Sequence, residues 1–152
     1  MSELADRMDV AEACTRMGWH ADRREWDLLA EVFDDEVALD YTSLQGGEPQ
    51  RLAHEAVVSA WRGLFERLQA TQHLVANHLV SVDGDTATCT AAFQATHFGA
   101  AAFGSPLWVL GGHYRFGLVR RDGRWRIGSV VMTADWAWGN RDVLNAAAAA
   151  DA

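Results

Sequence analysis

The chain contains no lysine: all 13 of its basic residues are arginine, set against 21 acidic residues, for a formal net charge of -8. Schiff-base chemistry on a lysine amine is therefore excluded, as is a phosphate-binding loop built on lysine. No basic patch is available to neutralise phosphates, so nucleic acid is not an expected partner. Only two cysteines occur, Cys14 and Cys89, far apart and in apolar surroundings, which reads as two buried free thiols. C-x-x-C, H-E-x-x-H and G-x-G-x-x-G patterns are absent, and His20, His54 and His97 have no ligand-like spacing. His73 and His78 are five apart and fall on opposite faces of a regular strand. Neither a metal nor a cofactor is expected. No apolar run reaches transmembrane length, and the opening M-S-E-L-A-D-R is too polar for a signal peptide, so no membrane association and a cytoplasmic location are the expectations.

What remains is a composition of ordinary globular type, with 49% hydrophobic and 22% charged residues over 152 positions. That length fits one domain, 1–152, with a substantial core. Helical spacing of Leu4, Met8, Ala11 and Thr15, with Cys14 and Gly18 beside them, predicts a helix from Glu3 to Trp19, interrupted at His20-Ala21. A second helix is expected from Arg23 to Phe33, with Asp22 as its N-cap. Val37 to Tyr41 alternates as a short strand, Ser43 to Gln50 reads as a loop around Gly46-Gly47 and Pro49, and Leu52 to Leu68 forms a third helix. Strands follow at Gln72–Val82, Thr86–Phe98, Leu107–Val119 and Arg124–Thr133, with a hairpin at Asp83-Gly84-Asp85. The alanine-rich tail from Arg141 to Ala150 is a last helix or a frayed end. Helices segregated from a mostly antiparallel, curved sheet define an α+β domain with a cone-shaped cavity.

Strand alternation groups His73 with Val75, Asn77 and Leu79, and His113 with Val109, Gly111 and Arg115, without indicating which face lines the cavity. Histidine is the side chain best suited to proton transfer near neutrality. A neighbouring carboxylate fixes its tautomer and raises its basicity, and a phenol can polarise a carbonyl while an enolate forms. Asp22, His73 and Tyr41 can fill these roles if the fold assembles them. The plainer reading makes Asp22 a helix cap, Tyr41 edge packing, and the seven tryptophans core.

The segments D-R-R-E-W-D-L-L-A-E-V-F, V-A-L-D-Y-T-S, T-Q-H at 71–73, D-G-R-W-R-I and A-D-W-A-W-G-N, in this order and spacing, resemble the SnoaL-like branch of the NTF2-like superfamily. Within it, the nearest likeness is to scytalone dehydratase and the hexachlorocyclohexane dehydrochlorinase group. The resemblance implies a cone-shaped barrel with the pocket between helices and concave sheet. It implies Asp22 and His73 as a catalytic dyad, Tyr41 on a substrate oxygen, and His113 as a second substrate-contacting histidine. A gapless count lands on Gly111, two residues away on the same strand face. Two departures stand out. Scytalone dehydratase carries a tyrosine where this chain has Ala21, leaving its water-binding tyrosine pair incomplete. The dehydrochlorinase carries a lysine before its aspartate and an arginine on its last strand, both missing here.

These readings converge on a cofactor-independent lyase of the dehydratase kind, acting on a cyclic or polyketide-like hydroxy-carbonyl compound. Trp61, Phe93, Trp108 and Trp138 are the expected lining of an aromatic slot for a small hydrophobic or aromatic substrate. An isomerase or aldol-type cyclase begins with the same proton abstraction. A binding module without chemistry is the reading from another class, favoured if the dyad side chains do not meet or if tryptophans fill the cavity. A homo-oligomer, trimer or dimer, is expected.

Overall fold

The computed structural model describes residues 2–149. The elements run α1 (Glu3–Arg23), α2 (Trp26–Val32), β1 (Phe33–Asp40), the single-turn α3 (Thr42–Gln45), β2 (Gln50–Ala53), α4 (His54–Phe65), β3 (Ala70–Asp83), β4 (Thr86–Phe98), β5 (Leu107–Arg121), β6 (Arg124–Gly139) and α5 (Asp142–Ala149). The predicted tail helix exists, and only its last predicted residue, Ala150, lies outside the described residues. Six strands form one open sheet in the order β2-β1-β6-β5-β4-β3. Every neighbouring pair is antiparallel except β1 with β6. The α+β expectation holds, with one edge strand, β2, more than the alternation indicated.

The first helix departs from its sequence reading. It starts at Ser2, whose Oγ accepts the Ala5 N–H at 3.3 Å. It then runs through His20-Ala21 without a break, to a left-handed residue at Arg24 (φ 58°) whose N–H donates to the Ala21 carbonyl. Asp22 is therefore not the N-cap of a second helix; it sits in the last turn of α1. The buried stripe is also a different one. Val10, Ala13, Cys14, Met17, Gly18 and Ala21 face the core, while Leu4, Met8 and Thr15 are exposed. Arg24 ties this helix end to the next layer, donating from Nη2 to the carbonyls of Phe65, the last residue of α4 (2.9 Å), and Leu68 just beyond it (2.6 Å). These are carbonyls that a helix end leaves without intrahelical donors.

The concave face of the sheet supplies the other half of the core. Cys89, Ala91, Phe93 and Ala95 point inward from β4, and Trp108, Leu110, Tyr114, Phe116 and Leu118 do so from β5. Gly18 lets α1 lie directly on β3, since a Cβ there would come within 2.9 Å of the His73 Cβ. A bulge between Ala76 and Leu79, with Asn77 at φ 58°, adds one residue to β3. It inverts the facing expected for the strand's second half. His78 joins His73 on the inner side, its Nε2 lying 3.2 Å from Thr15 Oγ1, while Leu79 is exposed.

Candidate active site

The last turn of α1 and the start of β3 meet at the Asp22 carboxylate. Three donors converge on it. His73 N–H donates to Oδ2 (2.6 Å), Thr71 Oγ1 to Oδ1 (2.9 Å), and His73 Nδ1 lies 2.7 Å from Oδ1. Because a carboxylate only accepts, Nδ1 carries a proton, and in the neutral ring Nε2 keeps its lone pair. Both side chains are mostly buried, at 15% and 11% exposure. The pair that the sequence placed 51 residues apart is in hydrogen-bond contact.

His73 forms part of the wall of a cavity of about 470 Å³ between α1, α4, α5 and the concave sheet, a volume suited to a small organic ligand. Tyr41, Trp61, Phe93 and Trp108 line it as expected, together with Phe65, His97, Leu110 and Tyr114. The tryptophans stand at the walls and leave the space open. Phe65 packs against His73 with ring centroids 5.6 Å apart. Trp61 stands edge-on to Tyr41 at 6.5 Å.

Two expected residues are elsewhere. Strict alternation along β5 turns Trp108, Leu110 and Tyr114 inward, so His113 projects from the opposite, convex face, where it pairs with Asp135 at 2.8 Å, both half-exposed. The likeness that assigned it to a substrate contact fails on facing. Trp138 also misses the pocket, being 65% exposed near the end of β6.

Two residues that the sequence did not single out are inside. His97 is buried beside His73, ring centroids 6.0 Å apart, and its Nδ1 lies 3.3 Å from the Trp108 carbonyl. A carbonyl accepts, so Nδ1 is protonated and Nε2 is an acceptor. Burial, reinforced by the nearby His73, lowers its pKa to about 4 and keeps it neutral. The signal was available: His97 alternates with Phe93 and Ala95 along β4. Tyr114 is the second. It stacks on Phe93 at 4.3 Å, and its phenol is near enough to that of Tyr41 for each to influence the other's ionisation. Burial holds both phenols well above their ordinary ionisation range, so the pair presents O–H donors.

Among the described residues no group of three or more His, Cys, Asp or Glu side chains converges to hold a metal ion. No described helix is long and apolar enough to cross a membrane.

An open mixed sheet wrapped on helices, with a hydrogen-bonded Asp–His pair at the cavity wall, makes a small α+β domain with the NTF2-like fold. The SnoaL-like domain profile matches residues 2–131, and the chain belongs to that family. Compared with curated proteins, the chain has no match. Among solved structures it is similar to the Kfla4162 protein from Kribbella flavida, at 30% identity over 90% of this chain and 95% of that one, with a TM-score of 0.86. It is also similar to a scytalone dehydratase-like protein from Novosphingobium aromaticivorans (18% identity, 91% and 89% coverage, TM-score 0.75). A third is hexachlorocyclohexane dehydrochlorinase LinA-type3 from Novosphingobium barchaimii (15% identity, 91% and 92% coverage, TM-score 0.74). At their identities the latter two speak for the fold alone.

Proposed function

We propose that the protein is a cofactor-independent lyase that dehydrates a cyclic or polyketide-like β-hydroxy-carbonyl compound. The observation that carries this reading is the 2.7 Å His73–Asp22 hydrogen bond on the wall of an aromatic cavity. His73 Nε2 takes the proton from the carbon next to the carbonyl, and Asp22 holds the tautomer and stabilises the imidazolium that forms. The electron pair of the broken C–H bond moves onto the carbonyl oxygen, where Tyr41, backed by Tyr114, donates a hydrogen bond to the enolate. The enolate then expels the β-hydroxyl, which leaves as water with the proton returned by His73. The neutral His97 offers its Nε2 as an acceptor that orients a substrate hydroxyl.

An isomerase or aldol-type cyclase would share the first step. Product mass separates the readings, because only dehydration loses one water. The test is a panel of cyclic β-hydroxy-ketones followed by mass spectrometry, with His73→Ala and Asp22→Asn compared to wild type. Each variant is expected to lower turnover at least about tenfold, a threshold set below the roughly 10²–10⁴ typical of an acid–base group. Near wild-type turnover in either variant overturns the dyad. Self-association through the convex sheet face belongs to the same proposal; it is supported by the exposed Leu74, Leu79, Val131, Trp136 and Trp138 there, and sedimentation velocity reads it.

A further inference from the structure

Charge is scarce on the cavity wall. Apart from the two histidines, the lining carries one carboxylate, Glu48, and one guanidinium, Arg141. Both belong to its solvent-exposed rim, Glu48 in the Gly46-Gly47 loop and Arg141 at the entry to α5. Elsewhere, arginines are mostly committed. Arg120 and Arg121 pair with Asp6 and Asp34, Arg51 and Arg62 with glutamates, and Arg24 with carbonyls. Arg141 has no carboxylate within ion-pair distance among the described residues, although the chain as a whole is acidic. Its guanidinium carbon instead sits 5.6 Å from the centre of the Trp108 ring, and Trp108 is buried at 4% exposure with its ring on the cavity wall. That contact holds the cation beside the pocket by the attraction of a π face for positive charge, and it leaves all five N–H donors without an acid partner.

Trp108 also links this cation to the proton-transfer groups. Its ring lies 5.0 Å from His97, and His97 lies 6.0 Å from His73. The cavity thus runs from a base at one end, past an apolar and aromatic middle, to a guanidinium at its rim. We propose that Arg141 is a specificity-determining residue and that the ligand of this pocket is an aromatic or polycyclic carboxylate, whose anionic end meets Arg141 while its ring system lies against Trp108, Phe93 and Trp61. The inference rests on the cavity being the substrate site, but not on His73 acting as a base. A guanidinium matches a carboxylate with two parallel N–H···O bonds, which neither a neutral carbonyl nor a cation can use. Glu48 on the same rim repels an anion, so the carboxylate is confined to the Arg141 side.

The test uses calorimetric titration of the intact chain with 2-naphthoate and with 2-naphthamide, which share a ring system and differ in charge. Wild type is expected to bind naphthoate about tenfold more tightly than the amide, a difference of about 1.4 kcal/mol, and the preference should shrink as salt is added. Arg141→Gln should bring the two affinities within roughly twofold while leaving amide binding unchanged. His73→Gln should keep the preference, so that loss of the dyad reading and loss of this one are distinguishable. Equal affinities in wild type, a preference that survives Arg141→Gln, or no naphthoate binding at about millimolar concentration (a weak limit near 4 kcal/mol) each overturn the assignment.

Discussion

Replacing Asp22 by asparagine changes almost no volume but removes one acceptor from a site where three donors meet. Two orientations of the new amide are available. With its oxygen in the Oδ1 position, the NH2 group faces the His73 backbone N–H across the 2.6 Å now spanned by Oδ2. A backbone N–H cannot change its role, so this arrangement sets two donors against each other. With the oxygen in the Oδ2 position, the NH2 group faces His73 Nδ1 and Thr71 Oγ1. Both of these can adapt, the hydroxyl by rotating and the imidazole by moving its proton to Nε2. The second arrangement wins, and its consequence is a histidine whose pocket-facing nitrogen is protonated and no longer a base.

Charge-assisted bonds are lost in the exchange, so the fold is expected to lose about 1–3 kcal/mol. For a chain of this length that lowers Tm by roughly 3–10 °C. Turnover is expected to fall by about 10²–10⁴. The decisive assay needs no substrate. Long-range 1H–15N correlation spectra distinguish the two imidazole tautomers, and His73→Gln assigns the signal. Wild type should show His73 protonated at Nδ1 with a bare Nε2, and Asp22→Asn should show the reverse. A bare Nε2 that persists in the variant, or an Nε2-protonated ring in wild type, refutes the account of how Asp22 acts.

Two further outcomes follow from the same wall. The folded pKa of His97, about 4, lies below the ordinary value of 6.5, so the unfolded chain binds the extra proton first, and stability present above pH 6.5 is lost as the pH falls toward 4. The loss attributable to this ring is about 3 kcal/mol; urea unfolding across that range should show it, and His97→Gln should flatten the slope if burial of the neutral ring is its cause. Gly18→Ala places a methyl within 2.9 Å of the His73 Cβ, an atom fixed by its strand. Overpacking of about 1–3 kcal/mol should exceed the helix-propensity gain of about 1 kcal/mol, so thermal unfolding at a Tm no lower than wild type contradicts the close contact of α1 with β3.

Much of this site was legible from side-chain chemistry and order, and what was not has local physical causes. Asp22 was found, but as the cap of the wrong helix. D-R-R-E-W-D carries every mark of an N-terminus, whereas the true break is a left-handed arginine with no sequence signature. Its guanidinium reaches carbonyls more than 40 residues away. Alternation sorted β5 correctly into two faces, yet could not choose between them, because the convex face is also rich in apolar groups such as Val109, Val131 and Trp136. His113 was lost to that ambiguity. On β3, a single bulge at Asn77 undid the period-2 reading beyond it; asparagine tolerates the left-handed conformation, but nothing nearby announces that it adopts it. The edge strand β2, Q-R-L-A, has no pattern of its own and exists through pairing with β1.

The same limit explains the phenol pair. Read along the chain, Ala21 in front of Asp22 leaves Tyr41 without a neighbouring tyrosine. In space the second phenol comes from β5, as Tyr114, which lines the same cavity. The substitution is not equivalent. A tyrosine at position 21 would extend from the helix beside the dyad, whereas Tyr114 rises from the sheet floor, stacked on Phe93. Ala21 is itself buried on the cavity wall, so the room a ring would take there is open to ligand next to His73, while the two donors are displaced toward the sheet. A pocket arranged this way accepts bulk at the base and holds the oxygen to be polarised deeper, against β5. The expected ligand therefore has its widest part at α1 and its carbonyl toward Tyr41 and Tyr114, with Arg141 at the rim meeting the carboxylate that the ring system carries outward.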